Sequence, residues 1–341
     1  MARKHRRRSR SGRIIRLSLS VCAVLIVLLI GVVGAQFLDS RMSVKVENAG
    51  KQMTAHTKDE TTAHVFMNNQ WYRKKNMETL LVIGIDEFGE VTGSGSYNNS
   101  NQADFMMLFA RNTETGESHV IHLNRDTMTD ITVLGVTGKA AGTQRAQLTL
   151  AYNYGQGQHD SSRNTADAVS RLLYGVSVDH YITVTMDAVP VMNDWAGGVT
   201  IEVMDDMTSA DSALVAGNEI KLTGEQALTY IRSRMGLDDS TNINRMRRQR
   251  QYASAWVEAS REQLKDENAV IRLVTEMKDY HHSDCTAQEL AGFAGSLGEN
   301  PNAQIHELPG EAVKGETYME FYADDAGIQQ LVLDVFYEAV D

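Results

Sequence analysis

Between Tyr230 and Gln251 the chain reads YIRSRMGLDDSTNINRMRRQRQ and holds six arginines: Arg232, Arg234, Arg245, Arg247, Arg248 and Arg250. Guanidinium groups bind phosphate and carboxylate oxygens through paired hydrogen bonds. Three readings compete for such a cluster: a nucleic-acid patch, a solvated helix face, or a site for a phosphorylated ligand. On a helix Arg245, Arg248, Gln249 and Tyr252 share one face, while Arg247 and Arg250 point elsewhere and are assigned to solvent. Arg232 and Arg234 lie two apart, so they share a side only where the chain is extended. The candidate set from this stretch is therefore Arg232, Arg234, Arg245 and Gln249. Arginines on a surface helix are ordinarily just solvated, so the second half of a site must come from elsewhere.

Carboxylates supply it. METLLVIGID (77–86) is a short apolar run suited to a buried strand, and it ends in Asp86. ADFMMLFARN (103–112) and ESHVIHLNRDT (117–127) are two further strand-like runs joined by TETG, a hairpin pattern. With the turn centred between Glu114 and Thr115, paired residue numbers sum to 229, and Asp104 faces Arg125. A lone Asp after a strand is usually a turn or cap residue. Two carboxylates beside several guanidiniums suggest a hard cation instead, since Mg²⁺ takes one or two carboxylates together with substrate phosphates. Asp86 and Asp104 are the candidate metal ligands.

The elements that must hold these residues alternate between strand and helix. Regular structure is expected to begin near VFMNNQWYRKK, with helices over 143–154 and 161–174 and a strand at HYITVTM. A short helix follows at DAVPVMNDWAGG, then a strand at GVTIEV. Next comes a helix opened by a capping box, with Thr223 as cap and Gln226 at its third position. That order indicates an α/β fold, an α-β-α sandwich around a mixed sheet. Beyond Ser260 the helical patterns carry no evident chemistry and read as packing helices.

The first forty residues bear on location. Residues 1–16 carry eight Lys/Arg and no acid, and 17–38 (LSLSVCAVLIVLLIGVVGAQFL) contain no charge. Twenty-two helical residues reach about 33 Å, enough to cross a hydrocarbon core of about 30 Å. The basic flank keeps the N-terminus in the cytoplasm and places the remainder outside. A cleaved signal peptide is the rival reading, and the length of the apolar run favours an uncleaved membrane anchor. The expected organisation is a basic tail (1–16), a span (17–38), a polar stalk (39–64) and an extracytoplasmic domain (65–341). Net charge is −11 over the chain, and without the eight N-terminal cations 25 Lys/Arg face 44 Asp/Glu, a net −19. An acidic exported domain is poorly suited to neutralising a phosphate backbone, so nucleic acid is excluded as partner. Cys22 and Cys285 are the only cysteines, and Cys22 lies in the apolar run, which leaves no disulfide within the domain.

These residues resemble the LytR-CpsA-Psr family of bacterial membrane-anchored cell-wall ligases. LLVIGID (80–86) and NQADFMML (101–108) are similar to its two aspartate-bearing segments. IHLNRDT (121–127) is similar to its strand ending in Pro-Arg-Asp-Thr, and LTGEQALTYIRSR with NRMRRQRQ to its arginine block. AGGVTIEV also resembles a family segment, and the likeness covers residues 77–255. The resemblance implies a pocket for a polyprenyl-pyrophosphate-linked glycopolymer, which is transferred by phosphotransfer to a hydroxyl of peptidoglycan, with the polyprenyl phosphate leaving. By position it implies Asp86 and Asp104 as ligands of Mg²⁺ (or Mn²⁺), and Arg125, Arg232, Arg234 and Arg245 as the phosphate clamp and catalytic set. Gln249 and Gln102 become substrate neighbours. Gln102 stands where many members have an arginine, and Asn124 where they have proline. A lipid tunnel would draw on Met106, Leu108, Leu148, Leu150, Leu172 and Val184. Two alternatives stay open: a pyrophosphatase that uses water as acceptor, and a non-catalytic envelope-binding or regulatory protein.

Overall fold

The computed structural model describes residues 64–233, 242–300 and 303–340. The expected tail, span and most of the stalk, and Arg234, therefore lie outside the described residues. Among those described, no helix is long and apolar enough to cross a membrane.

Strands β1 (His64–Met67) and β2 (Gln70–Lys74) form a hairpin whose turn residues Asn68 and Asn69 both take left-handed φ, 51° and 63°. Asparagine tolerates that region better than most residues. Then come β3 (Met77–Ile85), β4 (Ala103–Asn112), β5 (Ser118–Leu123), and the hairpin β6 (Met128–Leu134) and β7 (Ala140–Gln147). A 3₁₀ turn spans Leu148–Asn153, followed by α1 (His159–Leu172), β8 (His180–Val184), α2 (Ala188–Trp195), β9 (Val199–Glu202) and β10 (Glu219–Leu222). Helices α3 (Gly224–Arg232), α4 (Ile243–Ala259), α5 (Arg261–Lys265) and α6 (Glu267–Glu276) precede β11 (His281–Ser283), α7 (Ala287–Glu299) and β12 (Gln304–Glu307). The hairpin β13 (Gly310–Lys314) and β14 (Met319–Ala323), α8 (Asp325–Phe336) and β15 (Tyr337–Val340) complete the described chain.

The central sheet has the order β11-β8-β3-β4-β5-β12 and is mixed, with β8 parallel to β3 and β12 parallel to β5. Both its faces are covered, which is why METLLVIGI is mostly apolar and all six residues of SHVIHL, its serine and two histidines included, are buried. On one face Leu81, Ile83, Met106, Leu108 and Ile121 pack against Val169 of α1 and Val332 and Val335 of α8. On the other, Leu80, Met107, Phe109, Val120 and Ile182 meet Leu290 and Phe293 of α7 and Val274 of α6. A separate sheet, β1-β2-β15, brings the first and last described strands onto opposite edges of β2.

The β4–β5 register follows the expected pairing, Met106 with Leu123 and Arg111 with Ser118. Beyond Ser260, where only helices are expected, strands β11 to β15 also form, and one expected helix earlier in the chain is replaced. The segment 143–154 is not a helix but the end of strand β7 followed by the 3₁₀ turn. TQRAQ pairs with Met128–Thr132 of β6, and only then does LTLAYN coil.

Candidate functional site

Because β3, β5 and β8 run the same way, their C-terminal ends and the start of β4 lie on one edge of the sheet. Asp86 is the first residue past β3. It is exposed, and one carboxylate oxygen accepts from the Gln102 backbone N–H at 2.7 Å. Asp104 owes its direction to a β-bulge. Gly84 pairs with Phe105 and Ile85 with Ala103, so the register skips over Asp104, which sits in the bulge. Strict alternation would have turned it into the core beside Met106 and Leu108; bulges re-aim side chains in this way next to functional sites.

Asp104 instead meets two guanidiniums. It pairs with Arg125, two residues past β5, and with Arg245 Nη1 at 3.0 Å, in the first turn of α4. Arg245 Nε also donates to Asn242 Oδ1 at 2.8 Å, and Arg125 donates to Gln102 Oε1 at 2.6 Å. Arg125 Nε lies 3.4 Å from Asp126. Arg232, the last residue of α3, sits with its guanidinium 5.0 Å above the ring of Phe88. Gln249 is buried and donates to the Ile231 carbonyl at 3.3 Å, tying α4 to the end of α3. Glu87, beside Asp86, accepts from Asn101 at 2.5 Å, and burial raises its carboxyl above the ordinary range.

Asp104, Arg232, Arg245 and Gln249 stand at a cavity of about 340 Å³ whose remaining lining is almost entirely apolar. That volume lies in the ordinary range for ligand pockets. The lining comes from the second sheet face, as Met107, Phe109, Ile182 and Val184, and from α6 and α7, as Val274 and Phe293. Of the six residues expected along a tunnel, only Val184 lines it. Met106, Leu108, Leu148, Leu150 and Leu172 belong to or pack on the core of the opposite face. Of the helices read as packing elements beyond Ser260, α5, α6 and α7 therefore line the cavity, while α8 packs on the opposite face as expected.

The four arginines of α4 divide four ways. Arg245 faces the cluster and Arg247 is exposed. Arg248 is fully buried and structural: it donates to the carbonyls of Tyr230 at 2.9 Å and Ser233 at 2.5 Å and pairs with Asp205 at 2.5 Å. Arg250, assigned to solvent from spacing, is instead pinned between Glu307 at 2.7 Å and His122 Nδ1 at 3.4 Å. Burial and the nearby guanidiniums of Arg250 and Arg245 push the His122 imidazole down to about 3, so it stays neutral. The two departures noted in the sequence are both absorbed. Gln102 accepts from Arg125, where a second guanidinium would repel it, and Asn124 uses its side-chain oxygen to accept from Asp126 N–H at 3.0 Å and from Asn242 at 3.3 Å. Phe88, Asn242 and the bulge were not read from sequence. A turn-forming Asn before Arg125 was the one available signal for the tie to α4.

A model of the LytR_cpsA_psr family matches residues 40–332. The chain is 27% identical over 184 residues to polyisoprenyl-teichoic acid–peptidoglycan teichoic acid transferase TagU of Bacillus mycoides, covering 54% of this chain and 53% of that one. It is 24% identical over 265 residues to TagU of Bacillus licheniformis, covering 75% and 76%. The chain thus spans about half the length of the first of these relatives. Among solved structures, B. subtilis TagV superposes with a TM-score of 0.57 at 17% identity, covering 76% of this chain and 97% of that one. TagT bound to LI-WTA gives 0.56 at 17%, covering 76% and 90%. At these identities the structural likeness is one of fold, a mixed α/β domain with a central mixed sheet. With the family model matching most of its length, the chain belongs to the LytR-CpsA-Psr family.

Proposed function

We propose that this protein is a phosphotransferase of cell-wall assembly that moves a glycopolymer from a polyprenyl-pyrophosphate carrier onto peptidoglycan. The observation that carries the reading is an apolar cavity opening on a guanidinium cluster. A ligand suited to both is a long hydrocarbon ending in phosphates. Arg125, Arg232 and Arg245 would bind the pyrophosphate oxygens, and the cavity would take the first part of the prenyl chain. The attacking acceptor hydroxyl forms a new O–P bond at the phosphorus attached to the glycan. The P–O bond to the polyprenyl phosphate breaks, and the hydroxyl proton is released. Phosphoryl transfer depends on positioning and charge neutralisation more than on covalent help, which suits a site rich in fixed cations.

The donor set fits Mg²⁺ or Mn²⁺. Asp86 and Asp104 offer hard carboxylate oxygens at one sheet edge, the number such ions take beside substrate phosphates. Asp104, held here by Arg125 and Arg245, would join that set once those guanidiniums bound the phosphates instead. Held by Asp86 and Asp104, such an ion would supply charge neutralisation at the pyrophosphate oxygens. The membrane anchor and extracytoplasmic location proposed for residues 17–38 and the domain after them would keep the site beside a lipid-confined donor.

The test uses purified full-length chain, Mg²⁺, a short-prenyl pyrophosphate-linked glycan and a peptidoglycan fragment. Release of prenyl phosphate with the glycan joined to the fragment is the expected result. Cleavage at the same rate without the fragment would identify a pyrophosphatase. Absence of both binding and cleavage would overturn the enzymatic reading.

A further inference from the structure

At the opposite end of the sheet, a second group of ligand-type side chains comes together. Strand β11 pairs antiparallel with β8, His281 with Val184 through Ser283 with Ile182. Continuing that register sets Asp284 opposite Tyr181 and Cys285 opposite His180. The ladder itself stops at Ser283, and the Asp284 side chain takes its place: Tyr181 N–H donates to Asp284 Oδ1 at 2.9 Å. One ligand atom each from His180, Asp284 and Cys285 lies within 4.8 Å of the others. In a tetrahedral zinc site, with bonds of about 2.0–2.3 Å, ligand atoms are separated by roughly 3.3–3.8 Å, so a closure of about 1 Å suffices.

The imidazole is oriented as metal-bound histidines usually are. Its Nδ1 faces Asp284 Oδ1 at 3.9 Å, while Nε2 faces Glu78 Oε1 at 3.7 Å. One nitrogen is thus on the side of the cluster and the other 3.7 Å from a carboxylate, so a shift of less than about 1 Å would make the hydrogen bond that fixes the tautomer of a ligating histidine. Glu78 is itself held by Arg111 at 2.6 Å, and Asp284 Oδ2 by Arg163 at 2.6 Å. Both carboxylates are therefore fixed from behind. The mixture of nitrogen, sulfur and oxygen suits a borderline-soft ion and is a poor match to Mg²⁺. The site edge is reachable, with His180 and Asp284 side chains 26% and 22% exposed.

We propose that His180, Asp284 and Cys285 form a zinc site, with Glu78 as the positioning residue for His180 and a fourth position open to water. The ion would clip the β11–α7 junction to the start of β8, remote from the arginine cluster. Burial, reinforced by Asp284, Glu289 and Glu78, pushes the Cys285 thiol up to about 11, so binding exchanges its proton for the metal.

The test uses full-length chain carrying Cys22→Ser, which leaves Cys285 as the only thiol. Zinc chloride is added alone, retained metal is counted after gel filtration, and Cys285 alkylation is timed. One zinc per chain is expected, with alkylation slowed about tenfold or more because the metal-bound sulfur is withheld. Cys285→Ser, a nearly isosteric change, and His180→Ala should abolish retention, and Glu78→Gln should weaken it about 10–100-fold. Equal retention in Cys285→Ser, or alkylation unchanged by zinc in the unaltered site, would overturn the proposal. The alkylation arm needs no ligand variant, so a folding defect in one cannot mask the result.

Discussion

Three arginines within four residues of α4 offer a test of how burial converts to stability. Arg248→Ala removes a fully buried guanidinium with three acceptors and strands Asp205 together with the carbonyls of Tyr230 and Ser233. Breaking a buried pair from one side costs about 3–5 kcal/mol, because the remaining charge is left uncompensated. For a domain of this size each kcal/mol moves Tm by at least about 2 °C, so a fall of roughly 6–10 °C is expected. Arg247→Ala, on the exposed side, should stay within about 0.5 kcal/mol of wild type. Arg248→Lys should recover only part of the loss, since one ammonium lacks the planar fork that serves spread acceptors. The assay is thermal unfolding of the full-length chain by circular dichroism. If Arg248→Ala melts within 2 °C (about 1 kcal/mol) of wild type, or Arg247→Ala falls as far, the structural assignment of Arg248 is wrong.

Further outcomes follow from the same geometry. Arg245→Ala should lower prenyl-pyrophosphate binding by roughly 10–150-fold, the loss of one charge-assisted contact of about 1.5–3 kcal/mol, measured by titration calorimetry; an unchanged affinity would exclude Arg245 from the clamp. Met107→Trp should fill part of the cavity and weaken capture of the lipid at least about tenfold while Tm holds or rises, whereas a fall in Tm with binding intact would place the lipid elsewhere. His122 and His282 are held neutral by burial, pushed from 6.5 to about 3 and about 4. The unfolded chain therefore binds more protons, and their contribution to stability is full above about pH 6.5 and declines as pH falls toward those values. The slope is at most about 1.4 kcal/mol per pH unit for each. His122→Asn should flatten the urea midpoint against pH between 6.5 and 4.5, and an unaltered slope would count against a neutral His122.

Much of the frame was legible because its signals are local. The β4–β5 hairpin announced its register through TETG, and Thr223 and Gln226 form the capping box their spacing implies. Helix α1 and strand β8 follow their periodicities closely. What escaped depends on which side of the sheet a residue faces. Met106 and Met107 are equally apolar, yet one is core and the other lines the cavity, and only the placement of helices on each face decides between them. The bulge at Asp104 escaped for a related reason, since a one-residue slip in pairing leaves no mark in composition. Arg250 misled because helical spacing describes α4 alone, while Glu307 and His122 arrive from β12 and β5. The end of strand β7, TQRAQ, read as helix because this mostly exposed strand carries little hydrophobic alternation.

The small sheet β1-β2-β15 bears on how mechanical load would travel. His64 pairs with Arg73 at the open end of its hairpin, away from the Asn68–Asn69 turn. Tension arriving along the chain ahead of His64 therefore peels β1 from β2 one rung at a time, instead of shearing all rungs together. Behind it, β2 is fastened to β15 through Tyr337↔Lys74 to Val340↔Trp71 and the Arg73–Glu338 pair. A pull would be spent first in fraying four rungs of an outlying ribbon. The central sheet, and the spacing of Asp86, Asp104 and the arginines at its edge, would feel the force only after that fuse had opened.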